Sequence, residues 1–540
     1  MPLSSPTLDK FRAFLWPHKA ERSTSEPDND MHEPPSVRVQ SDAHSATAEA
    51  ARASNAHLRY QVEGAAASVV GSSTSARERS TSQLSDLDIL HTRLSNAHLL
   101  AHHQFELHPA GGVSYKPHPQ GSARHGRQPS HSLLPHLKSS IEAEGSVSVE
   151  LTQKEIESFR SLDVPSALCC IRRATEDLQQ FCVSFQNLNE GAANAVFSIG
   201  PRRSVETASG FLFVAVRDSG KSATAIPAKL VLDKVLRVSK GLPKSLKSEV
   251  IVDGFMADVR PLFVSPATSA GTSQTLEEIN LDQHLMAHLP VVLFDEGMSV
   301  LKSMVPAIRS LGNAAQFGIL LPNMSTISGQ NITFEIKPKW LAQSPAAPSD
   351  AIRCRTCALQ FSRGKGIPDD YICPLRLSNE QLATNGDLSH MRRWATNALS
   401  LQLQTDTNAQ LPQEVSLDAL VDRVVTYFTT GAGRTLLLHL KKLQVTLDSE
   451  GILQRYTRPR DDFNFVYDLR LAMTLRDCSL FVVVPIHDVE ITSKLADLDF
   501  KSAEKIDDWR GKEAALVDGG WYTKGPEAHA VCLLAPRKSI

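Results

Sequence analysis

Two short stretches of this chain hold the residues best suited to chemistry on an anion. In residues 334–340, FEIKPKW, period-two alternation predicts Glu335, Lys337 and Lys339 on one side of a strand. Two cations beside a carboxylate are costly to bury unless an anion neutralises them. A row of lysines aimed one way therefore reads as a polyphosphate clamp, and its plainer counterpart is an exposed, salt-bridged strand face. The second stretch pairs Asp477, in TLRDCSLFVVV, with Asp497, in LADLDFK, 20 residues on and across an apolar strand pattern. One class of phosphoryl-transfer enzymes places a base aspartate first, then a short hairpin, then a metal-binding aspartate, and here that order and a comparable spacing are reproduced. Asp499 and Lys501 complete a D-x-D-x-K cluster of the hard-oxygen type that holds Mg²⁺ and touches phosphate, with an unrelated acidic turn as the plainer reading.

Three further stretches carry weaker signals. Residues 189–197, NEGAANAVF, put Gly191, Ala192, Ala193 and Asn194 in a turn between two strand-like runs, where small residues let backbone N–H groups approach phosphate; most such turns are ordinary hairpins. Residues 234–247, KVLRVSKGLPKSLK, read either as an edge strand protected by lysines or, through Arg237 and its neighbouring lysines, as a cation source for nucleotide phosphates. Cys354-x2-Cys357 with Cys373 is half of a zinc signature; no second C-x2-C follows and His390 is distant in sequence, so a structural zinc is the lesser reading. His487 reads as a strand-end histidine rather than a catalytic one.

These residues need a scaffold, and the chain predicts one beginning near Thr152, where Thr152 and Glu155 form a capping-box pattern ahead of helically spaced apolar residues. Apolar runs at 181–185, 195–199, 210–216 and 229–238, bounded by Gly, Pro, Ser or Asn, predict a mostly antiparallel sheet. Helices are expected at 276–288 and 298–311, and strands at 333–336, 435–443 and 479–485. Residues 1–150 contain 13 of the 19 histidines, no cysteine, and many Ser, Ala, Pro and Gln, a composition that cannot bury enough apolar surface to offset ordering entropy. The expected organisation is a disordered low-complexity extension over 1–155, a strand-rich N-lobe over 156–320 on the nucleotide side, and a larger mixed C-lobe over 321–540. The fold class is α+β.

With Lys+Arg 57 against Asp+Glu 59, the net charge of −2 argues against a polycation that coats nucleic acid or an anionic membrane, so any anion site must be local. The first residues lack an apolar core of signal-peptide length and no apolar run approaches the ~18 residues of a membrane span. Eight irregularly spaced cysteines then argue for reduced thiols and a nuclear or cytoplasmic location.

Taken in order, NEGAANAVF, FEIKPKW, RCRTCALQ, YICPLRL, TLRDCSLFV and LADLDFK resemble the inositol-pentakisphosphate 2-kinase family over roughly residues 175–510. The resemblance implies a two-lobed fold distantly related to protein kinases, and transfer of the ATP γ-phosphate to the axial 2-hydroxyl of inositol 1,3,4,5,6-pentakisphosphate, giving phytate. It assigns Gly191, Ala192, Ala193 and Asn194 to the loop over the nucleotide and Arg237 to an ATP-phosphate contact. Asp477 becomes the base and, with Asp497, a metal ligand for Mg²⁺. Lys337, Lys339 and Lys501 become the inositol-phosphate clamp, with Arg363 and Lys505 standing where further basic residues are usual. The implied partner is the small-molecule substrate, bound by a monomer. The chain departs from the family at Cys373 and Arg376 (aspartates in the usual D-P-L-D-L), at Asn323-Met324 (usually aspartate-histidine), and at Trp509, where an aromatic hydroxyl is expected. The competing readings are a kinase for another acceptor, disfavoured by the absence of an H-R-D-x-x-x-x-N loop and by Asp497-Leu498-Asp499 at the D-F-G position, and a non-catalytic inositol-phosphate-binding scaffold, which would need neither Asp477 nor Asp497.

Overall fold

The computed structural model describes two short paired strands, Gln104–Leu107 and Val113–Lys116, and then residues 147–535 with interruptions at 163–166, 173–175, 203–209, 218–221, 243–244, 265–279, 310–315, 365–370, 381–387, 456–462 and 525–531. Most of the extension expected over 1–155, and its assignment as disordered, therefore lies outside the described residues. Its last residues lie inside them: Val147–Val149 (β1) joins the main sheet. The capping box forms as expected. Thr152 Oγ1 accepts from the Glu155 N–H at 3.3 Å, Glu155 returns a bond from the Thr152 N–H at 2.7 Å, and helix α1, Gln153–Ser161, follows and buries Phe159.

Eight more strands complete this sheet: β2 Ala167–Arg172, β3 Val183–Glu190, β4 Asn194–Pro201, β5 Phe211–Arg217, β6 Ser222–Ala225, β7 Lys234–Ser239, β8 Leu289–Leu293 and β9 Gln316–Pro322. Their order is β1-β6-β5-β2-β8-β9-β7-β4-β3, and a further pairing of Val183 with Phe211 joins β3 to β5, closing seven strands into a barrel. Every pairing is antiparallel except β2 with β8, so the expected mostly antiparallel sheet is present. Strand alternation explains the filling. Leu168, Cys170, Phe185, Phe197, Phe213, Leu236, Leu293 and Leu320 share one buried cluster, while the alternate residues Cys169, Ile171, Leu212, Val214 and Val292 pack on the other face with Phe159. Strands covered on both faces carry near-continuous apolar runs, as in ALCCI and FLFVAV.

Beyond the barrel, β10 Asn331–Ile336, β11 Ser479–Pro485 and β12 Thr492–Ala496 form a three-stranded antiparallel sheet in that order. Its buried face, including Phe334, Leu480, Val482 and Leu495, shares a core with Trp394, Phe428, Leu436, Leu440 and Leu475. The longer helices among the described residues are α2 Ser248–Gly254, α3 Asp295–Met304, α4 Arg355–Ser362, α5 Leu388–Thr405, α6 Leu417–Thr429, α7 Ala432–Leu447, α8 Phe463–Asp477 and α9 Ile506–Asp518. The chain is thus α+β, as expected. Among the described residues no helix is long and apolar enough to cross a membrane.

Two assignments change type. Residues 435–443, expected as a strand, lie in α7: Leu436, Leu437, Leu440, Leu443, Gln444 and Leu447 are among its buried residues, a spacing of three and four that only a helix brings to one side. Residues 276–288, expected as a helix, contribute only the short turn Asp282–His284 among the described residues. The Met286 N–H then bonds to the Leu495 carbonyl at 2.9 Å, tying an extended chain to β12. Boundaries also move. The helix expected at 298–311 ends at Met304, and in 229–238 the strand proper starts only at Lys234, after a single turn at Ala228–Leu230.

Candidate active site

One end of the three-stranded sheet gathers the expected catalytic residues. Ile336 pairs with Leu480 and Ser479 with Ala496, so the segment leaving β10 (337–339), the segment entering β11 (477–479) and the residue leaving β12 (497) all converge there. Lys339 and Asp497 are, among the described residues, the two non-glycine positions in the left-handed region, at φ 57° and 54°. Such backbone costs ~1–2 kcal/mol and persists only where the surroundings over-determine it. Both lie at the turn out of a strand, where the chain must leave the sheet to bring its side chain to the cluster.

Asp477 is the hub. Lys339 Nζ lies 3.1 Å from its Oδ1 and Lys501 Nζ 2.9 Å from its Oδ2, while the Asp477 side chain keeps 51% of its surface exposed. Burial pushes the Asp477 carboxyl up, but the charges of Lys501 and Lys339 outweigh it and hold the group well below the usual carboxylate range. For Lys501 burial works downward and is outweighed by Asp477 and Asp497, so the ammonium is held more firmly than in water. The result is a fully ionised carboxylate, half open to solvent, with a cation on each oxygen.

The remaining expected residues divide. Lys337 does not share a strand face with Lys339, because β10 ends at Ile336. Its Nζ donates instead to Ser479 Oγ at 2.8 Å and lies 3.4 Å from Glu335 Oε1, which accepts from Ser479 Oγ at 2.6 Å. Arg237, on β7, forms a bidentate pair with Asp499 at 2.9 and 2.5 Å. Burial raises the Asp499 carboxyl, yet Arg237 brings it below its ordinary range, and burial with the Arg237 charge pushes neighbouring His288 down to about 4. This pair links the barrel to the D-x-D-x-K segment. The turn Gly191–Asn194 is closed by the Gly191 N–H on the Asn194 carbonyl at 2.9 Å, and Lys240, the residue after β7, fastens it: its N–H reaches the Ala193 carbonyl at 2.9 Å and its Nζ reaches Glu190 Oε1 at 2.6 Å. Arg363, at the end of α4, and Lys505, in the turn Ala503–Lys505, are exposed and make no ion pair with the cluster.

Residues that the sequence reading did not assign hold the hub in place. Gln444 of α7, buried, accepts from the Leu341 N–H at 2.9 Å and donates to the carbonyls of Lys339 and Leu475 at 2.9 and 3.2 Å. One amide thus braces the Lys339 turn and the end of α8. Thr474 Oγ1 accepts from the Lys501 N–H at 3.1 Å, and Arg470 Nε donates to the Lys501 carbonyl at 2.6 Å. Arg476, wholly buried, pairs with Asp448 at 2.6 Å. TLLLHLKKLQ is apolar in either conformation, so Gln444 carries no mark of this role in the sequence, and neither do Thr474 and Arg470. The departures from the family pattern are accommodated locally. Asn323 caps a turn by accepting from the Ser325 N–H at 3.0 Å, and Trp509 packs with Ile452 and Leu469.

The family model for inositol-pentakisphosphate 2-kinase matches residues 188–515, more than half of the chain and containing every residue of the cluster. An inositol-pentakisphosphate 2-kinase of Yarrowia lipolytica is 36% identical over 196 residues, which is 36% of this chain and 55% of the relative. The chain therefore spans about half the length of that relative. With Lys337, Lys339, Asp477, Asp497 and Lys501 all inside the matched region and gathered at one end of one sheet, the chain belongs to the inositol-pentakisphosphate 2-kinase family.

Proposed function

We propose that the protein transfers the γ-phosphoryl group of ATP to the 2-hydroxyl of inositol 1,3,4,5,6-pentakisphosphate, forming the hexakisphosphate. The observation that carries this reading is the convergence of Lys339 and Lys501 on the two oxygens of the half-exposed Asp477. Phosphoryl transfer asks chiefly for positioning and charge neutralisation. A carboxylate that accepts the hydroxyl proton, beside ammonium groups that meet phosphates as point charges, supplies both.

The same geometry gives a sequence of roles. Without substrate, Lys339 and Lys501 neutralise Asp477. A polyphosphate competes for both lysines, and each one it draws away releases a carboxylate oxygen and lets the Asp477 affinity for a proton rise, so the base is freed by the molecule it acts on. Asp477 then orients the 2-hydroxyl and accepts its proton as that oxygen bonds to the γ-phosphorus and the bond from this phosphorus to the β,γ-bridging oxygen breaks, releasing ADP. Lys337, hydrogen-bonded with Ser479 and Glu335, extends the cationic surface from the same sheet end, and Arg363 and Lys505 belong to its outer rim.

Mg²⁺ fits the donor set. Asp499 is committed to Arg237, whereas Asp497 makes no ion pair among the described residues and offers hard carboxylate oxygens at the sheet end shared with Asp477. These two would hold the ion, which when bound neutralises charge on the transferred phosphoryl group. We assign the barrel, with the Gly191–Asn194 turn and Arg237, to the nucleotide side, and residues 321–540 to the acceptor side of a two-lobed kinase-like architecture. The eight free, buried cysteines are in keeping with a reducing nuclear or cytoplasmic location, and we expect a monomer.

The test is direct. Purified protein is incubated with ATP, Mg²⁺ and the pentakisphosphate, and products are resolved by anion exchange. Appearance of the hexakisphosphate is expected; its absence with a folded protein overturns the reading.

A further inference from the structure

The buried face of α7 carries leucine at 436, 437, 440, 443 and 447, and one amide interrupts it: Gln444, 1% exposed. A leucine would fill that place without an amide being taken out of water. A buried amide has to recover its lost hydrogen bonds inside the protein, and Gln444 recovers them from two short segments only. Its Oε1 accepts from the Leu341 N–H at 2.9 Å, and its Nε2 donates to the carbonyls of Lys339 at 2.9 Å and Leu475 at 3.2 Å.

We propose that Gln444 is a positioning residue of the transfer, which sets Lys339 against Asp477 and so shapes the clamp for one phosphate of the acceptor. The inference rests on the reading of Asp477 as base and Lys339 as clamp. The Lys339 backbone lies in the left-handed region at φ 57°, a conformation that a non-glycine residue keeps only where its surroundings hold it. Two of the three bonds from Gln444 fall on that turn, on either side of Trp340. The third falls on Leu475, two residues before Asp477 near the end of α8. One amide thus ties the backbone on both sides of the 3.1 Å contact between Lys339 Nζ and Asp477 Oδ1. The Gln444 main chain adds to this: its carbonyl accepts from Arg476 Nη2 at 3.4 Å, and Arg476 pairs with Asp448, about one helical turn beyond Gln444.

The other cation on Asp477 is held by different groups. The Lys501 N–H bonds to Thr474 Oγ1 at 3.1 Å, its carbonyl accepts from Arg470 Nε at 2.6 Å, and the Arg470 guanidinium lies 3.9 Å from the centre of the Phe500 ring. Arg470, Thr474 and Asp477 fall at i, i+4 and i+7 of α8, one face of the helix, and the 499–501 segment docks along it. The two lysines are therefore positioned separately, and loss of the Gln444 amide should release Lys339 while leaving Lys501 in place. A glutamine kept for stability alone has no reason to act on one lysine and spare the other.

Gln444→Met keeps the length of the side chain and removes its amide. The full chain and this variant are given a brief pulse of acetic anhydride without nucleotide or inositol phosphate, and lysine labelling is read by mass spectrometry. Labelling of Lys339 should rise several-fold, with Lys501 unchanged. In steady-state kinetics the KM for the pentakisphosphate should rise with the KM for ATP held, and the loss in kcat/KM should not exceed the ~10- to 150-fold expected for deleting Lys339 itself. In a Lys339→Met background Gln444→Met should cost far less than in the parent, because the group through which it acts is gone. Gln444→Leu, which continues the leucine face, removes the same amide and carries the same labelling test if Gln444→Met does not fold. Unchanged labelling of Lys339, equal rises at both lysines, or equal kinetic losses in the two backgrounds overturns the proposal. The labelling needs no turnover, so it decides whether Gln444 places Lys339 independently of the kinase reading, which fails instead if the folded native chain forms no hexakisphosphate.

Discussion

Arg476 lies with its guanidinium 3.6 Å from the centre of the Trp340 ring, and Arg355 approaches the same ring at 4.6 Å. Trp340 follows Lys339 in the chain, and Arg476 precedes Asp477. The stacked pair is therefore coupled by single peptide bonds to the two residues whose side chains meet at 3.1 Å in the candidate site. A buried ring held between two cations fixes the backbone on both sides of that meeting point.

Trp340→Ala removes the stack and opens a cavity, with expected destabilisation of ~3–5 kcal/mol from the lost ring and a fall in kcat/KM for the pentakisphosphate. Trp340→Phe, which keeps an aromatic face, should retain most of both. Urea unfolding and steady-state kinetics measure the two effects. A Trp340→Ala protein as active per folded molecule as the parent would separate the stack from the site.

Asp477→Asn keeps the shape of the hub but removes the proton acceptor. General-base catalysis contributes ~10²- to 10⁴-fold, so kcat should drop by that order with substrate binding largely kept. Normal turnover in this variant would remove Asp477 from the role of base.

The folded Asp477 carboxyl is held below its ordinary range, so its contribution to stability is full above the unfolded carboxylate pKa of ~3.9 and is lost only as pH falls through the lower folded value. Its side-chain carbon resonance should accordingly be flat from pH 5 to 8 in the free protein. If the substrate draws Lys339 and Lys501 away, the titration moves upward when a pentakisphosphate is bound. An unchanged titration would mean that the lysines stay on Asp477.

Lys339→Met or Lys501→Met deletes one charge-assisted contact worth ~1.5–3 kcal/mol. The expected outcome is a fall of ~10- to 150-fold in kcat/KM for the pentakisphosphate, with ATP affinity measured in the absence of acceptor nearly unchanged. A loss confined to ATP binding would place these lysines on the nucleotide side.

The Arg237–Asp499 pair is mostly buried, with side-chain exposures of 10% and 15%. Removing one partner strands the other charge, which typically costs ~3–5 kcal/mol. Arg237→Met and Asp499→Leu should each lower stability strongly, and the double variant should cost less than the sum of the two. Additive losses in urea titrations would show that the pair is not coupled.

The sequence by itself determined which residues are candidates for the chemistry, and much of the local structure: the lysines of FEIKPKW, the aspartates 20 residues apart, the capping box at Thr152, the alternating barrel strands and the α+β class. These follow from residue type and short-range spacing, which the backbone imposes without knowledge of distant partners. It misread α7 because a leucine-rich run is apolar in either conformation, and only the packing of Leu436, Leu440 and Leu443 against the three-stranded sheet settles the period. Folding alone decided which charges meet. Arg237 and Asp499 are 262 residues apart, Lys339 and Asp477 138, and Gln444 lies 105 from the carbonyl it holds. Closure of the barrel through Val183 and Phe211 and the arrival of Cys532 beside Cys373 are of the same kind. Each is a contact between segments whose own sequences leave the other free to lie anywhere, and it is the burial of shared apolar faces that brings them together.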